Sequence, residues 1–391
     1  MYYEFNNTVK MISGENCLVK LPSELQKLGA KRVLLISGPV LNRIGTVQKI
    51  KDLFTGSDIL ISATFIDVPN DSSVEVVNEL VNIYYNNSCD SILAVGGGSV
   101  LDTAKGLRLM LCQESKDLLE CCGVNGLRKG KTIPFVAIPT TAGTGSEVTK
   151  VSVISDLARH IKMEFISSFI LPSVCFLAPQ VIATLPRKAT VSSCFDALTH
   201  AIEAYTGLQK NPLSDTFALE GIRYLAKHLQ GCLDNPEDAE SRLGTLNGSA
   251  LAGIAFSNSM VSAVHAIGHA LGGVCKVSHD VAMAVLLPHC MQFNLDVNND
   301  LYGDILYYVA GEEIYQATAP ELRGQKCIDH IKALLVKYHD LVGLPKTLTD
   351  LNIDEDKFQQ IANTAYADGA VIVNRKFVSK QDILDILRKA I

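Results

Sequence analysis

The stretch Ser91-Ile92-Leu93-Ala94-Val95-Gly96-Gly97-Gly98-Ser99-Val100-Leu101-Asp102-Thr103-Ala104-Lys105-Gly106-Leu107 runs from apolar residues through three glycines into a helical pattern. Its first five residues read as a buried strand, the glycines as a tight turn and the rest as a helix. A glycine turn at a helix amino terminus lets backbone N–H groups approach a phosphate, with the positive end of the helix dipole behind them. The same glycines also serve any tight turn that needs positive φ, and three of them do not choose between the two readings. The spacing is not Gly-x-Gly-x-x-Gly, so an ordinary Rossmann assignment is not justified.

The flanking sequence repeats this grammar. Arg32-Val33-Leu34-Leu35-Ile36-Ser37 reads as a buried strand, followed by a helical stretch from Val40 to Phe54. Ile59 to Val68 reads as a strand, and Ser72 or Ser73 caps a helix through Val77, Leu80 and Tyr84. Thr132 to Ile138 is a further strand. Such alternation predicts a parallel sheet covered by helices. After the last of these strands comes Pro139-Thr140-Thr141-Ala142-Gly143-Thr144-Gly145-Ser146-Glu147, dense in hydroxyls and small residues. Both loops leave the carboxyl ends of expected parallel strands, where ligands bind in open α/β sheets. Together they point to a cofactor that carries a diphosphate.

Beyond Leu185-Pro186 helical spacing dominates, in Ser193–Tyr205, Ser214–Leu233, Arg242–Ala255, Ile328–Tyr338 and Gln381–Ile391. The expected organisation is therefore an α/β cofactor-binding domain over 1–185 and an all-helical domain over 186–391. The helical part carries Asp196 and His200 four residues apart, then His265 and His269 at the same spacing, then His279. Residues i and i+4 share a helix face, so each pair can point at one spot. A carboxylate with two or more imidazoles suits Fe(II) or Zn(II). Spacing leaves all five as candidate ligands, and two unrelated histidine pairs as the bland alternative.

Bulk properties narrow the function classes. The chain has 391 residues, 48% hydrophobic and 19% charged, with a net charge of −6, so it reads as globular and without a basic footprint for nucleic acid. No apolar run approaches the ~20 residues of a membrane helix, and Met1–Asn7 lacks the pattern of a signal peptide. Eleven cysteines without a Cys-x-x-Cys pair read as reduced thiols in a cytoplasmic protein. Tyr2–Ile12 is read as an exposed hairpin suited to pairing two copies into a homodimer.

Taken together, these motifs resemble the iron-containing (group III) alcohol dehydrogenases, within the wider dehydroquinate synthase-like superfamily. The resemblance runs nearly end to end and includes both glycine loops, Asp196-Ala197-Leu198-Thr199-His200-Ala201-Ile202-Glu203-Ala204-Tyr205, His265-Ala266-Ile267-Gly268-His269-Ala270-Leu271-Gly272, Leu286-Leu287-Pro288-His289 and Asn374-Arg375. It implies the dehydroquinate synthase-like fold and Asp196, His200, His265 and His279 as metal ligands. His269 is then left beside the metal, as a proton-relay or orienting residue near the nicotinamide. Gly97, Gly98 and Ser99 would hold the pyrophosphate, with Thr140, Thr141, Thr144, Lys162 and Asn70 on the cofactor side. His289 is read as a packing residue rather than a ligand.

Four departures stand out. Gly38 replaces a common Asp after the first strand; a carboxylate there repels a 2′-phosphate, so both NAD and NADP are expected to be accepted. Ser278-His279-Asp280 stands where relatives usually show Pro-His-Gly. Met260 and Val261 replace small residues before the His265 helix, and Ala178 replaces a common Asp. The expected reaction is reversible hydride transfer between a primary alcohol and a nicotinamide cofactor, with an Fe²⁺ or Zn²⁺ Lewis acid and an alcohol or aldehyde substrate. The alternatives on the same residues are an NAD- and metal-dependent lyase of dehydroquinate-synthase type and a metal-dependent hydrolase. The first lacks a basic cluster for a phosphorylated substrate, and the second leaves the glycine loops unexplained.

Overall fold

A computed structural model describes residues 2–122, 130–159 and 161–391. The chain forms two compact units, one of Asn7–Thr141 and Gly145–Thr184, the other of Met1–Asn6, Ala142–Thr144 and Leu185–Ile391.

The first unit is built on six strands, β1 (Lys10–Ser13), β2 (Arg32–Ser37), β3 (Leu60–Phe65), β4 (Ser91–Gly96), β5 (Phe135–Pro139) and, after the two-stranded hairpin of β6 (Val151–Asp156) and β7 (Ile161–Ile166), β8 (Val174–Leu177). The sheet runs β1-β8-β5-β4-β2-β3 and every pairing in it is parallel. The apolar runs of β4, β5 and β8 are buried along their whole length, as strands covered on both faces must be, whereas the edge strand β3 is only partly covered. Helices α1 (Leu21–Lys27), α2 (Pro39–Arg43), α3 (Thr46–Asp52), α4 (Val74–Asn86), α5 (Gly98–Gln113) and α6 (Pro179–Ile182) complete the unit. From β2 the chain steps outward to β3, and from β4 it steps the other way to β5. The sheet's switch point therefore lies between β2 and β4, so Gly38 and the triple glycine leave adjacent strand ends at the place where such sheets bind ligands.

Three local expectations need correction. The helical stretch from Val40 to Phe54 is two short helices, because Gly45 adopts φ +82° and starts α3 afresh. The strand expected from Thr132 begins at Phe135, since Pro134 has no N–H to give the ladder and only its carbonyl accepts, from Ile92 N–H at 2.9 Å. No hairpin forms over Tyr2–Ile12: β1 joins the sheet in parallel with β8, and the residues before it are not strand.

The second unit is helical, with α7 (Arg187–Thr206), α8 (Pro212–Asp234), α9 (Ala239–Ser257), α10 (Ala263–Cys275), α11 (His279–Ala310), α12 (Glu312–Ala317), α13 (Arg323–Val342), α14 (Phe358–Tyr366) and α15 (Lys380–Lys389). α7 is buried almost all round, and α8, α9 and α11 pack on it. Two distant pieces of chain join this unit for visible reasons. Phe5 stacks on Phe217 at 5.6 Å and Asn6 N–H donates to Asn258 Oδ1 at 2.8 Å. Gly143 lies so close to α7 that an added Cβ would meet the Ser193 carbonyl oxygen at 3.0 Å. No helix among the described residues is long and apolar enough to cross a membrane.

Candidate metal centre and cofactor loops

Three helices bring four side chains to one point. α7 supplies Asp196 and His200, one turn apart; α10 supplies His265; α11 begins with His279. One ligand atom from each lies within 4.8 Å of the others. Asp196 Oδ1 is 3.8 Å from His200 Nδ1, 3.8 Å from His265 Nε2 and 3.4 Å from His279 Nε2. Two ligands ~2.1 Å from one tetrahedral ion stand about 3.4 Å apart, so the separations fit a shared cation better than mutual hydrogen bonds. His269, the fifth candidate left open by spacing, stays outside this cluster, as does His289.

The condition of these atoms tests the fit. Asp196 Oδ1, His200 Nδ1 and His265 Nε2 are buried and make no hydrogen bond. Buried polar atoms are costly when unpaired, and three converging on one spot fit a divalent ion that accepts all their lone pairs. Burial pushes the His200 imidazole down to about 3, which keeps it neutral and able to ligate. Burial works against the Asp196 carboxylate, but the facing imidazoles of His200, His279 and His265 outweigh it and hold its pKa below the ordinary value. Phe256 of α9 stacks on the His200 ring at 4.2 Å and fixes its plane.

Two carboxylates that the sequence reading passed over orient the histidines. Glu203 lies two turns beyond Asp196 on α7 and is buried. It accepts from Ser262 N–H at 3.0 Å, Ser262 Oγ–H at 2.8 Å and Val264 N–H at 2.7 Å, which satisfies the amino terminus of α10. Its fourth partner is His265 Nδ1 at 2.6 Å, so the proton sits on Nδ1 and Nε2 turns its lone pair toward the cluster. The signal was present, since an acid seven residues after Asp196 falls on the same helical face. Asp368 accepts from His269 Nδ1 at 2.9 Å and from Ala370 N–H at 2.8 Å. The His269 ring stacks on His279 at 5.3 Å. Nothing in the sequence pairs residues 99 positions apart, so Asp368 had no legible signal.

All the cofactor-side residues except Thr144 lie in the first unit. β2, β4 and β5 are neighbours in register, Ser37 beside Val95 and Gly96 beside Pro139, and Thr140 N–H donates to Gly96 O at 3.0 Å. Gly38, Gly97 and Thr140 thus emerge side by side. A Cβ at Gly97 would press on Thr141 Cγ2 at 3.2 Å, so the close approach of the two loops favours glycine there. Gly98 and Ser99 form the open first turn of α5, whose amides have no carbonyl partners inside the helix. Ser99 Oγ–H donates to Asn70 O, and Lys162 Nζ of β7 pairs with Asp71 at 2.8 Å, which brings Asn70 and Lys162 to the same edge. Thr144 lies in the short segment that belongs to the helical unit. Beneath the loops, Asp102 of α5 accepts from Ser146 Oγ–H at 2.7 Å and Val153 N–H at 3.0 Å. Buried Lys105 donates to Thr149 Oγ1 at 2.9 Å and Val151 O at 2.7 Å, so the second loop and the hairpin are tied to the phosphate-type helix.

A parallel sheet with glycine loops at its switch point in one unit, and helices presenting a carboxylate and three imidazoles in the other, are the features of a metal- and nucleotide-using enzyme. The model for "Iron-containing alcohol dehydrogenase" matches residues 8–179 and that for "Fe-containing alcohol dehydrogenase family, C-terminal" matches residues 190–391. The chain belongs to the iron-containing alcohol dehydrogenase family. It is 30% identical to the NAD-dependent methanol dehydrogenase of Bacillus methanolicus over 97% of both chains. It is 33% identical to the 1,3-propanediol dehydrogenase of Klebsiella pneumoniae over 96% of both. A crystal structure of a 1,3-propanediol oxidoreductase superposes with a TM-score of 0.94 at 31% identity, covering 100% of each chain.

Proposed function

We propose that the protein transfers a hydride reversibly between a small primary alcohol and NAD or NADP, with Asp196, His200, His265 and His279 holding Fe(II). The observation that carries this reading is the buried Asp196 oxygen facing three imidazole nitrogens without a hydrogen bond. When bound, the divalent ion supplies Lewis acidity, lowering the pKa of an alcohol hydroxyl and polarising an aldehyde carbonyl. Iron is preferred to zinc because the family is iron-containing, although zinc suits the same donor set.

The chain's own residues do the rest. Glu203 holds the proton on His265 Nδ1, which keeps Nε2 a ligand atom. Asp368 likewise holds Nδ1 of His269, leaving Nε2 to take up or return the proton of the substrate oxygen. Gly97, Gly98 and Ser99 receive the pyrophosphate at the amino terminus of α5, with Asn70, Thr140, Thr141, Thr144 and Lys162 completing the cofactor contacts. Gly38 places no carboxylate at the ribose, so NADPH and NADH are both used. Eleven cysteines outside any disulfide support a reducing, cytoplasmic setting.

The test is a panel of short primary alcohols and aldehydes offered with each nicotinamide to protein reconstituted with Fe(II) or Zn(II). Turnover that depends on the added metal is expected. Absence of turnover with every combination sinks the reading.

A further inference from the structure

Three of the four metal-site side chains are rooted deep in the helical unit, with 6% exposure or less, while the side chain of His279 is 31% exposed. It is also the first residue of α11, where the backbone is held least by its own helix. The preceding N-cap, Ser278, makes no capping bond to the backbone. Yet the imidazole must stay in place to complete the set, so something outside the helix has to fix that turn.

We propose that Asp280 is a positioning residue that latches the first turn of α11 to α7 and thereby holds His279 in the metal site. The inference rests on the metal-site reading above and adds residues to it. One carboxylate oxygen of Asp280 accepts from Ser192 Oγ–H on α7. Ser192 is buried and lies one helical turn before Asp196, so the latch is anchored on the helix that carries two other ligands. The second oxygen accepts from Ser278 Oγ–H and from Val281 N–H at 3.0 Å. Ser278, just before His279, and Val281, two residues after it, are therefore both tied to the carboxylate of Asp280, which fixes the turn that carries the imidazole. A negative charge in the first turn also suits the positive end of a 32-residue helix. Asp280 stands where the family resemblance leads one to expect glycine, which has no side chain to make this bond.

The experiment measures the rate at which Co(II)-loaded protein gives up its metal to excess chelator, followed by the Co(II) visible spectrum, so no turnover is needed. Ser192→Ala and Asp280→Gly are each expected to speed release roughly tenfold, in the range seen for groups that orient ligands. The double variant should release no faster than the quicker single one, because both remove the same bond. Asp280→Asn, which can still accept from Ser192, should fall between parent and Asp280→Gly. Melting of the metal-free proteins guards against a general folding effect. Release rates within twofold of the parent in both single variants, or effects that multiply in the double variant, overturn the latch. His265→Ala separates the two claims. If it abolishes Co(II) binding while the latch variants behave as the parent, the metal site stands and the latch fails. If the parent binds no Co(II), Fe(II) or Zn(II), both fail together.

Discussion

Replacing Glu203 by Gln keeps the shape of a buried side chain and removes half of its acceptor capacity. One oxygen accepts from Ser262 Oγ–H and Val264 N–H; the other accepts from Ser262 N–H and His265 Nδ1. Gln offers one oxygen and one NH₂ for these four donors. If the NH₂ faces His265, the imidazole answers by losing its Nδ1 proton and carrying it on Nε2, where the ligand lone pair should be, and Ser262 N–H loses its partner. If it turns the other way, the Val264 N–H at the start of α10 is left buried without a partner. The first arrangement should weaken metal binding about 10- to 100-fold, the range for partners of ligating histidines, or about 1.4–2.8 kcal/mol. Either arrangement leaves one backbone N–H buried without a partner and should cost about 1–3 kcal/mol of stability in the metal-free protein. Equilibrium dialysis with metal analysis reads the first effect, and denaturant melts of the metal-free protein read the second. A Glu203→Gln protein with metal affinity and metal-free stability both within twofold of the parent would refute the tautomer argument.

Three further outcomes are expected. His265→Ala should lose metal outright, whereas His269→Ala and, more weakly, Asp368→Asn should keep metal and slow turnover; kinetics set beside metal content checks this, and the opposite pattern means the two histidines have exchanged roles. Gly38→Asp should shift the ratio of catalytic efficiencies strongly toward NADH over NADPH. A Cβ there meets nothing nearer than Val68 O at 3.6 Å, so a side chain can start there without a backbone shift, and an unchanged ratio of catalytic efficiencies assigns the choice to other residues. His289 sits at about 4 because burial, then Lys332 and Lys389, disfavour its charge. The unfolded chain therefore binds the extra proton first, and stability falls as pH drops from about 6.5 toward 4, by up to about 1.4 kcal/mol per pH unit. His289→Gln should flatten that acid limb in denaturant melts, and an unchanged slope removes His289 from the account.

The parts of this molecule that were legible in the sequence are those set by short-range periodicity. β2 and β4 are continuous apolar runs, and Asp196 with His200 is an i, i+4 pair, so strand and ligand pair could both be read locally. What failed was set by backbone chemistry or by distance along the chain. One glycine at φ +82° divided a helix that looked continuous. The 32-residue α11 was hidden by Pro288 in its interior and by a first half apolar on every side, which shows no amphipathic stripe. At the site, spacing could not choose between His265 and His269, and the structure separates them by partner: Glu203 for one, Asp368 for the other. The latch between Ser192 and Asp280 joins residues 88 apart and becomes visible only once α7 and α11 are packed.

The central claim is that a buried carboxylate and three imidazoles exist to hold one divalent ion. The most direct measurement is the stoichiometry of Fe(II) bound anaerobically by the purified chain, with Asp196→Ala as its comparison. One tightly held ion per chain, lost in the variant, is the predicted result. No bound ion in the parent, or an equal amount in the variant, contradicts it.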